Sequence, residues 1–173
     1  MSDGFAHNLK LDSVRDGDRL DLVADDGERR SIAMRLGLGS IDGLEAHVSL
    51  DRTGELVRAE GRLIASLEQS CVVTGEPVTA HIDEPFVLVF MPEPKTGGDE
   101  EIELAPQDCD TVFYDGGMID LGGAIADTLA LSLNPYPRSA EASAALKDAG
   151  VMSEAEASPF AALAQLKKDL EGS

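Results

Sequence analysis

Leu56-Val57-Arg58-Ala59-Glu60-Gly61-Arg62-Leu63-Ile64-Ala65-Ser66-Leu67-Glu68-Gln69-Ser70 is the stretch that decides the fold. Val57, Ala59, Gly61, Leu63, Ala65 and Leu67 share one side of an extended chain, while Arg58, Glu60, Arg62 and Glu68 share the other. A period of two with that segregation is a strand with one face on a core and one in water. Upstream, Leu44, Ala46, Val48 and Leu50 alternate in the same way, and Asp51-Arg52-Thr53-Gly54 between the two runs is turn chemistry. Together they predict a long antiparallel hairpin. Downstream, Val78 to Met91 predicts a third strand, interrupted near Asp83-Glu84-Pro85 because proline has no N–H to give a ladder. Phe86 to Met91 is continuously apolar, the pattern of a strand buried on both faces or central in its sheet.

Helical signals flank this hairpin. Ile32, Ala33 and Leu36 predict a helix over about 28–38, ended by Gly37 or Gly39, since glycine readily takes the left-handed cap conformation. Leu121, Ile125 and Leu129 stack at i, i+4 and i+8, with Asp120 as N-cap and Asn134-Pro135-Tyr136-Pro137 as the stop, because neither proline continues the hydrogen-bond ladder. A last amphipathic helix is expected from Ser158 and Pro159, with Phe160, Leu163, Leu166 and Leu170 on one face. Before the first helix, Phe5 to Val14 is a short alternating stretch, and Asp16-Gly17-Asp18 and Asp25-Asp26-Gly27 read as turns. Pro92 to Asp99 reads as a linker, and Glu100 to Leu104 as a short acidic edge strand. Between 138 and 156 the Ala, Ser and Glu-rich sequence leaves short helix and disorder both open. The expected architecture is α+β: an antiparallel β-sheet with a long hairpin, packed by two or three helices. Its domain organisation is a core over 1–138, a flexible acidic, Ala-rich linker over 139–157, and a C-terminal helix of the same domain over 158–173.

Composition narrows the function classes. The chain has 173 residues, 43% of them hydrophobic, enough for one buried core. With aromatics at 4% and no Trp, that core rests on aliphatic side chains. Lys and Arg number 14 against 33 Asp and Glu, a net charge of -19. Phosphate backbones are bound by neutralising them with Lys and Arg, so this surface disfavours extensive RNA or DNA contact and would attract a basic protein. No apolar run approaches the roughly 20 residues that span a bilayer. The N-terminus has no signal-peptide pattern, so a cytoplasmic location is the expectation.

Catalytic patterns are lacking. Cys71 precedes a Gly-Glu-Pro turn, which places it near the surface, but a reactive thiolate needs a base and an electropositive setting. The nearest His in sequence is His81, and Glu76 would raise the thiol pKa. Cys71 and Cys109 with His7, His47 and His81 fall short of a zinc set. The acidic runs lack calcium-loop spacing. Gly116-Gly117 and Gly122-Gly123 border a helix start, where backbone N–H groups hold anions, but Asp115 and Asp120 argue against phosphate. No enzyme, cofactor or metal is expected.

Three patches remain: Cys71-Val72-Val73-Thr74-Gly75-Glu76-Pro77-Val78, a knuckle-like turn with Thr74 where a Cys-x-x-Cys would have its second thiol; Met118-Ile119-Asp120-Leu121 leading to Asn134-Pro135-Tyr136-Pro137-Arg138; and Ser158 to Lys168. In that order they resemble the YceD family, the large ribosomal RNA subunit accumulation proteins, from about Leu63 to Leu170. Cys71, Thr74, Gly75 and Pro77 match the family turn. Asp120 and Leu121 match the helix start, Pro135 and Pro137 around Tyr136 the stop, and Phe160, Leu163, Leu166 and Lys167 the terminal motif. The chain departs from the family where relatives carry further cysteines, in the turn and after the Pro-x-Pro stop.

The resemblance implies a non-catalytic cytoplasmic factor of ribosome biogenesis, needed for large-subunit ribosomal RNA to accumulate. A large-subunit ribosomal protein or an assembly intermediate is the implied partner, and Phe160, Leu163, Leu166 and Lys167 are candidate contacts for it. The alternative is direct RNA binding by a local patch of Arg58 and Arg62 on one strand face, joined by Arg52 at the turn. An enzyme built on Cys71 is the third reading. The family residues also have plain structural roles open to them: Asp120 as a cap, the prolines as a stop, Phe160 as a core anchor.

Overall fold

The computed structural model describes residues 7–94 and 110–151. They belong to two compact units. One draws on Met1–Gln69 and Thr79–Pro135, the other on Ser70–Val78 and Tyr136–Ser173. The expected Glu100 to Leu104 strand, Cys109, and the helix bearing Phe160, Leu163, Leu166 and Lys167 lie outside the described residues.

The elements run β1 (Asn8–Lys10), a 3-10 turn (Leu11–Ser13), β2 (Asp18–Val23), α1 (Asp26–Leu36), β3 (Ser40–Thr53), β4 (Leu56–Ser70), β5 (Pro77–Pro92), β6 (Thr111–Tyr114), β7 (Met118–Asp120), α2 (Leu121–Ser132) and α3 (Ala142–Asp148). The architecture is α+β, as the sequence pattern required. β2 to β6 form a five-stranded sheet in sequential order, and β1 pairs with β7 in a two-stranded sheet. The long hairpin is present as expected, but its turn lies further on than Asp51-Arg52-Thr53-Gly54: Asp51, Arg52 and Thr53 are paired in β3, with Thr53 opposite Leu56. Its loop is Gly54-Glu55, where Gly54 at φ +66° supplies the left-handed first position that a two-residue hairpin turn needs.

Helix ends follow the chemistry of their residues. Asp25 caps α1 in a capping box with Glu28, and Gly37 at φ +66° ends it. Asp120 caps α2, its carboxylate accepting the Gly123 N–H at 2.8 Å. A Cβ on residue 123 would sit 2.3 Å from that carboxylate, so a side chain there would have to push the Asp120 carboxylate aside. The N–H considered as an anion donor is already occupied.

Among the described residues one cluster forms the core. Leu44, Ala46, Val48 and Leu50 of β3, Val57, Leu63 and Leu67 of β4, and Leu88 and Phe90 of β5 pack with Ile32 of α1 and Leu121, Ile125 and Leu129 of α2. Each large aliphatic side chain there contributes roughly 1.5–3 kcal/mol by leaving water. Gly61 has a positional reason in this sheet. A Cβ at residue 61 would lie 2.1 Å from the His47 carbonyl oxygen and 3.0 Å from the Phe86 ring.

Several expectations are corrected. β5 is continuous through Asp83-Glu84-Pro85. Its pairing with β6 is confined to Val89–Pro92, so among the described residues one side of Pro85 is an open edge, where the missing N–H costs no ladder bond. β2 occupies the segment between the two predicted turns, and β6 joins β5 in parallel. Within the stretch left open between helix and disorder, Ala142–Asp148 is helical. No described helix is long and apolar enough to cross a membrane.

Candidate functional site

Two places gather the residues that carry chemistry. The first is the turn between β4 and β5. The Cys71 N–H donates to the Glu76 carbonyl at 2.7 Å and the Gly75 N–H to the Cys71 carbonyl at 2.9 Å, with Gly75 at φ +76°. This closes a knuckle whose inside faces the Cys71 sulfur. The Thr74 N–H points at Sγ from 3.4 Å and the Ser139 N–H from 3.3 Å. Ser139 comes from the segment after the proline stop, held against the turn by the Val72 N–H donating to the Pro137 carbonyl at 2.9 Å.

Cys71 is buried at 3% exposure, not near the surface as its Gly-Glu-Pro context suggested. Burial pushes its thiol up. The Thr74 hydroxyl and the backbone N–H groups of Ser139, Thr74 and Val73 outweigh that and bring it down to about 6. Donors aimed at the sulfur stabilise the thiolate, a setting the neighbouring Glu76 had concealed. Around it runs a polar network. The Ser139 hydroxyl donates to the Glu76 carboxylate at 2.8 Å, and the Thr74 hydroxyl oxygen lies 2.9 Å from that carboxylate and 3.2 Å from the Ser139 oxygen. Those two hydroxyls, Ser139 first, hold the Glu76 carboxyl below its ordinary range.

The network ties the turn to the segment after the stop. The unit holding Cys71 has no histidine among its described residues, so the sulfur has no imidazole base there. Among the described residues no group of three or more His, Cys, Asp or Glu could hold a metal. Ser139 was absent from the sequence candidates. It lies 68 residues from Cys71, and the one signal toward it was that relatives carry cysteines after the stop.

The second place is the exposed face of the five-stranded sheet. Asp21 of β2 stands opposite His47 of β3, and His47 opposite Arg62 of β4. Arg62 reaches on to Asp83 of β5 with two hydrogen bonds, its second nitrogen donating at 3.0 Å. The row therefore runs acid, base, base, acid across four strands. Asp21, 2.7 Å from His47 Nδ1, raises the His47 pKa above its ordinary value, with Glu45 adding a smaller push. Arg62 lowers the Asp83 carboxyl.

The three arginines do not make one patch. Arg58 and Arg62 share the exposed face, paired with Glu60 and Asp83. Arg52 alternates onto the other face, opposite Val57. Its guanidinium donates to the carbonyls of Leu11 (2.6 Å), Val14 (3.3 Å) and Gly54 (2.9 Å). It fastens the hairpin end to the N-terminal segment.

At the helix start and stop, Asp120 is a cap and Leu121 is fully buried. The α2 helix ends at Ser132, before Pro135. Pro137 is buried, whereas Tyr136 is 71% exposed.

Comparison with known proteins gives one family. The model described as large ribosomal RNA subunit accumulation protein YceD matches residues 59–167. That span contains the whole knuckle, Asp120 with its helix, the proline stop and Ser139. Neither the curated proteins nor the solved structures contain a match.

Proposed function

The chain belongs to the YceD family, and from that premise we propose that it is a non-catalytic, cytoplasmic ribosome biogenesis factor. It supports accumulation of large-subunit ribosomal RNA mainly through protein contacts, with a basic large-subunit ribosomal protein as the partner class. The family match carries this reading. The net charge of -19 supports protein contact over RNA contact, because such a field repels phosphates and draws cationic chains. The pairing of Arg58 and Arg62 with carboxylates, and the diversion of Arg52 to backbone carbonyls, weigh the same way. Each of those cations already has a protein partner, so RNA would have to displace it.

The knuckle has a structural role in this proposal. The Thr74–Glu76–Ser139 network holds the turn and the segment after the stop together, and the buried thiol is not offered to a substrate. Deletion of the gene is expected to lower large-subunit ribosomal RNA and free large subunits relative to small ones. An unchanged ribosome profile in a clean deletion strain would sink the proposal.

A further inference from the structure

β2 is the end strand of the five-stranded sheet, and its pairing phase fixes what its outer edge presents. The Ala24 N–H donates to the Leu44 carbonyl at 3.0 Å. Leu22 opposite Ala46 and Leu20 opposite Val48 continue that phase. In an antiparallel ladder alternate residues bond inward, so the N–H and C=O groups of Arg19, Asp21 and Val23 point away from β3. The β2–β3 register gives those N–H groups no partner on β3, and no turn or loop bond uses them among the described residues. Their side chains are exposed, Val23 at 69%. An unpaired row of this kind is a template for another extended chain. The charge beside it selects the occupant: along β2 and the turn before it Asp16, Asp18 and Asp21 outnumber Arg15 and Arg19, on a chain whose net charge is -19. A second copy of this chain would bring the same excess of carboxylates to the pairing, whereas a cationic strand would neutralise it.

We infer that the open edge of β2 is the docking surface for an extended basic segment of the partner, added to the sheet as a sixth strand. This rests on the proposed function, because it names the surface through which a basic partner is held. The backbone row gives the pairing, and lysines or arginines of the incoming strand meet Asp21 and its neighbours.

The test uses the full chain and three short synthetic peptides. One alternates lysine and threonine, one has glutamate for lysine, and one has proline at alternate threonines of the lysine peptide. The lysine–threonine peptide is expected to bind, more weakly as salt rises, and to protect the Arg19, Asp21 and Val23 amides from hydrogen exchange. The other two are expected not to bind. Val23→Pro removes one outward N–H with no change of charge and no loss of a bond to β3. It should weaken binding about tenfold, the scale of one lost interstrand bond plus the steric block, while Val23→Ala leaves binding intact.

Binding of the lysine peptide with protection elsewhere, or equal affinity for Val23→Pro, overturns the edge assignment and leaves the basic-partner reading standing. Failure of the lysine peptide to bind better than the glutamate peptide overturns both. Should Val23→Pro not fold, the exchange pattern of the unsubstituted chain decides alone.

Discussion

Gly61→Ala is the substitution for which the fold makes its sharpest demand. The added Cβ would lie 2.1 Å from the His47 carbonyl oxygen, well inside the 3.0 Å that Cβ atoms respect, and 3.0 Å from Cζ of Phe86. A flexible side chain could swing aside, but the first obstacle is the backbone of the neighbouring strand. Relief therefore requires β3 and β4 to separate where Val48 pairs with Gly61, beside the core. Overpacking of a well-packed interior costs about 1–3 kcal/mol, and a backbone obstacle places this case near the top, about 3 kcal/mol. For a chain of this length that is a fall of about 6–12 °C in melting temperature.

Gly43→Ala is the matched control. It lies in the same hairpin, has no positive φ, and nothing lies within 4 Å of its Cβ position. It should be neutral, or stabilising by up to about 1 kcal/mol through the unfolded chain. The assay is urea unfolding followed by circular dichroism, reading the midpoint at unchanged slope. A loss below about 0.5 kcal/mol for Gly61→Ala, or equal losses for both variants, would refute the packing argument.

Three further outcomes follow from the capping, the knuckle and the charged row. Asp120→Ala removes the α2 cap and should cost about 1 kcal/mol in the same unfolding assay, with Asp120→Asn retaining most of it. In a Cys109→Ser background, thiolate absorbance of Cys71 should titrate near pH 6, and Thr74→Val should move that midpoint upward. Because this thiol is depressed in the folded state, its contribution to stability is present above the unfolded thiol pKa and lost as pH falls through about 6. His47 should titrate by NMR above its ordinary 6.5, and Asp21→Asn should return it toward that value. Its sign is opposite: the His47–Asp21 contribution is full below the unfolded pKa and fades as pH rises through the folded one.

Local periodicity made the hairpin, α1 and α2 legible, because each buries one face and its sequence records that face at period two or 3.6. Asp120 was legible as a cap for the same reason, its role being settled within three residues. β2 escaped because its Leu20 and Leu22 sit between two aspartate–glycine clusters, and turn chemistry at both ends obscured a six-residue edge strand. β6 escaped because its partner is β5 in parallel, a pairing no local pattern announces. Pro85 misled because a proline's cost in a strand depends on whether its N–H side has a neighbour, a property of the sheet and not of the residue.

At the candidate site the turn itself was legible from Gly75 and Pro77. What surrounds Cys71 was not. The Ser139 N–H and hydroxyl arrive from 68 residues away, and only the folded chain shows that donors from Thr74, Ser139 and Val73, not Glu76, govern the sulfur. The arginines were misjudged for a related reason. Strand alternation separates Arg52 from Arg58 and Arg62, and Asp83, which holds Arg62, lies on the next strand.

The most direct measurement is a pull-down of the tagged full chain from cells, done with and without nuclease, with bound proteins identified. A factor working through protein contacts retains large-subunit ribosomal proteins after nuclease, and loses them as salt is raised. Loss of those proteins on nuclease treatment alone, or their absence from both samples, would contradict it.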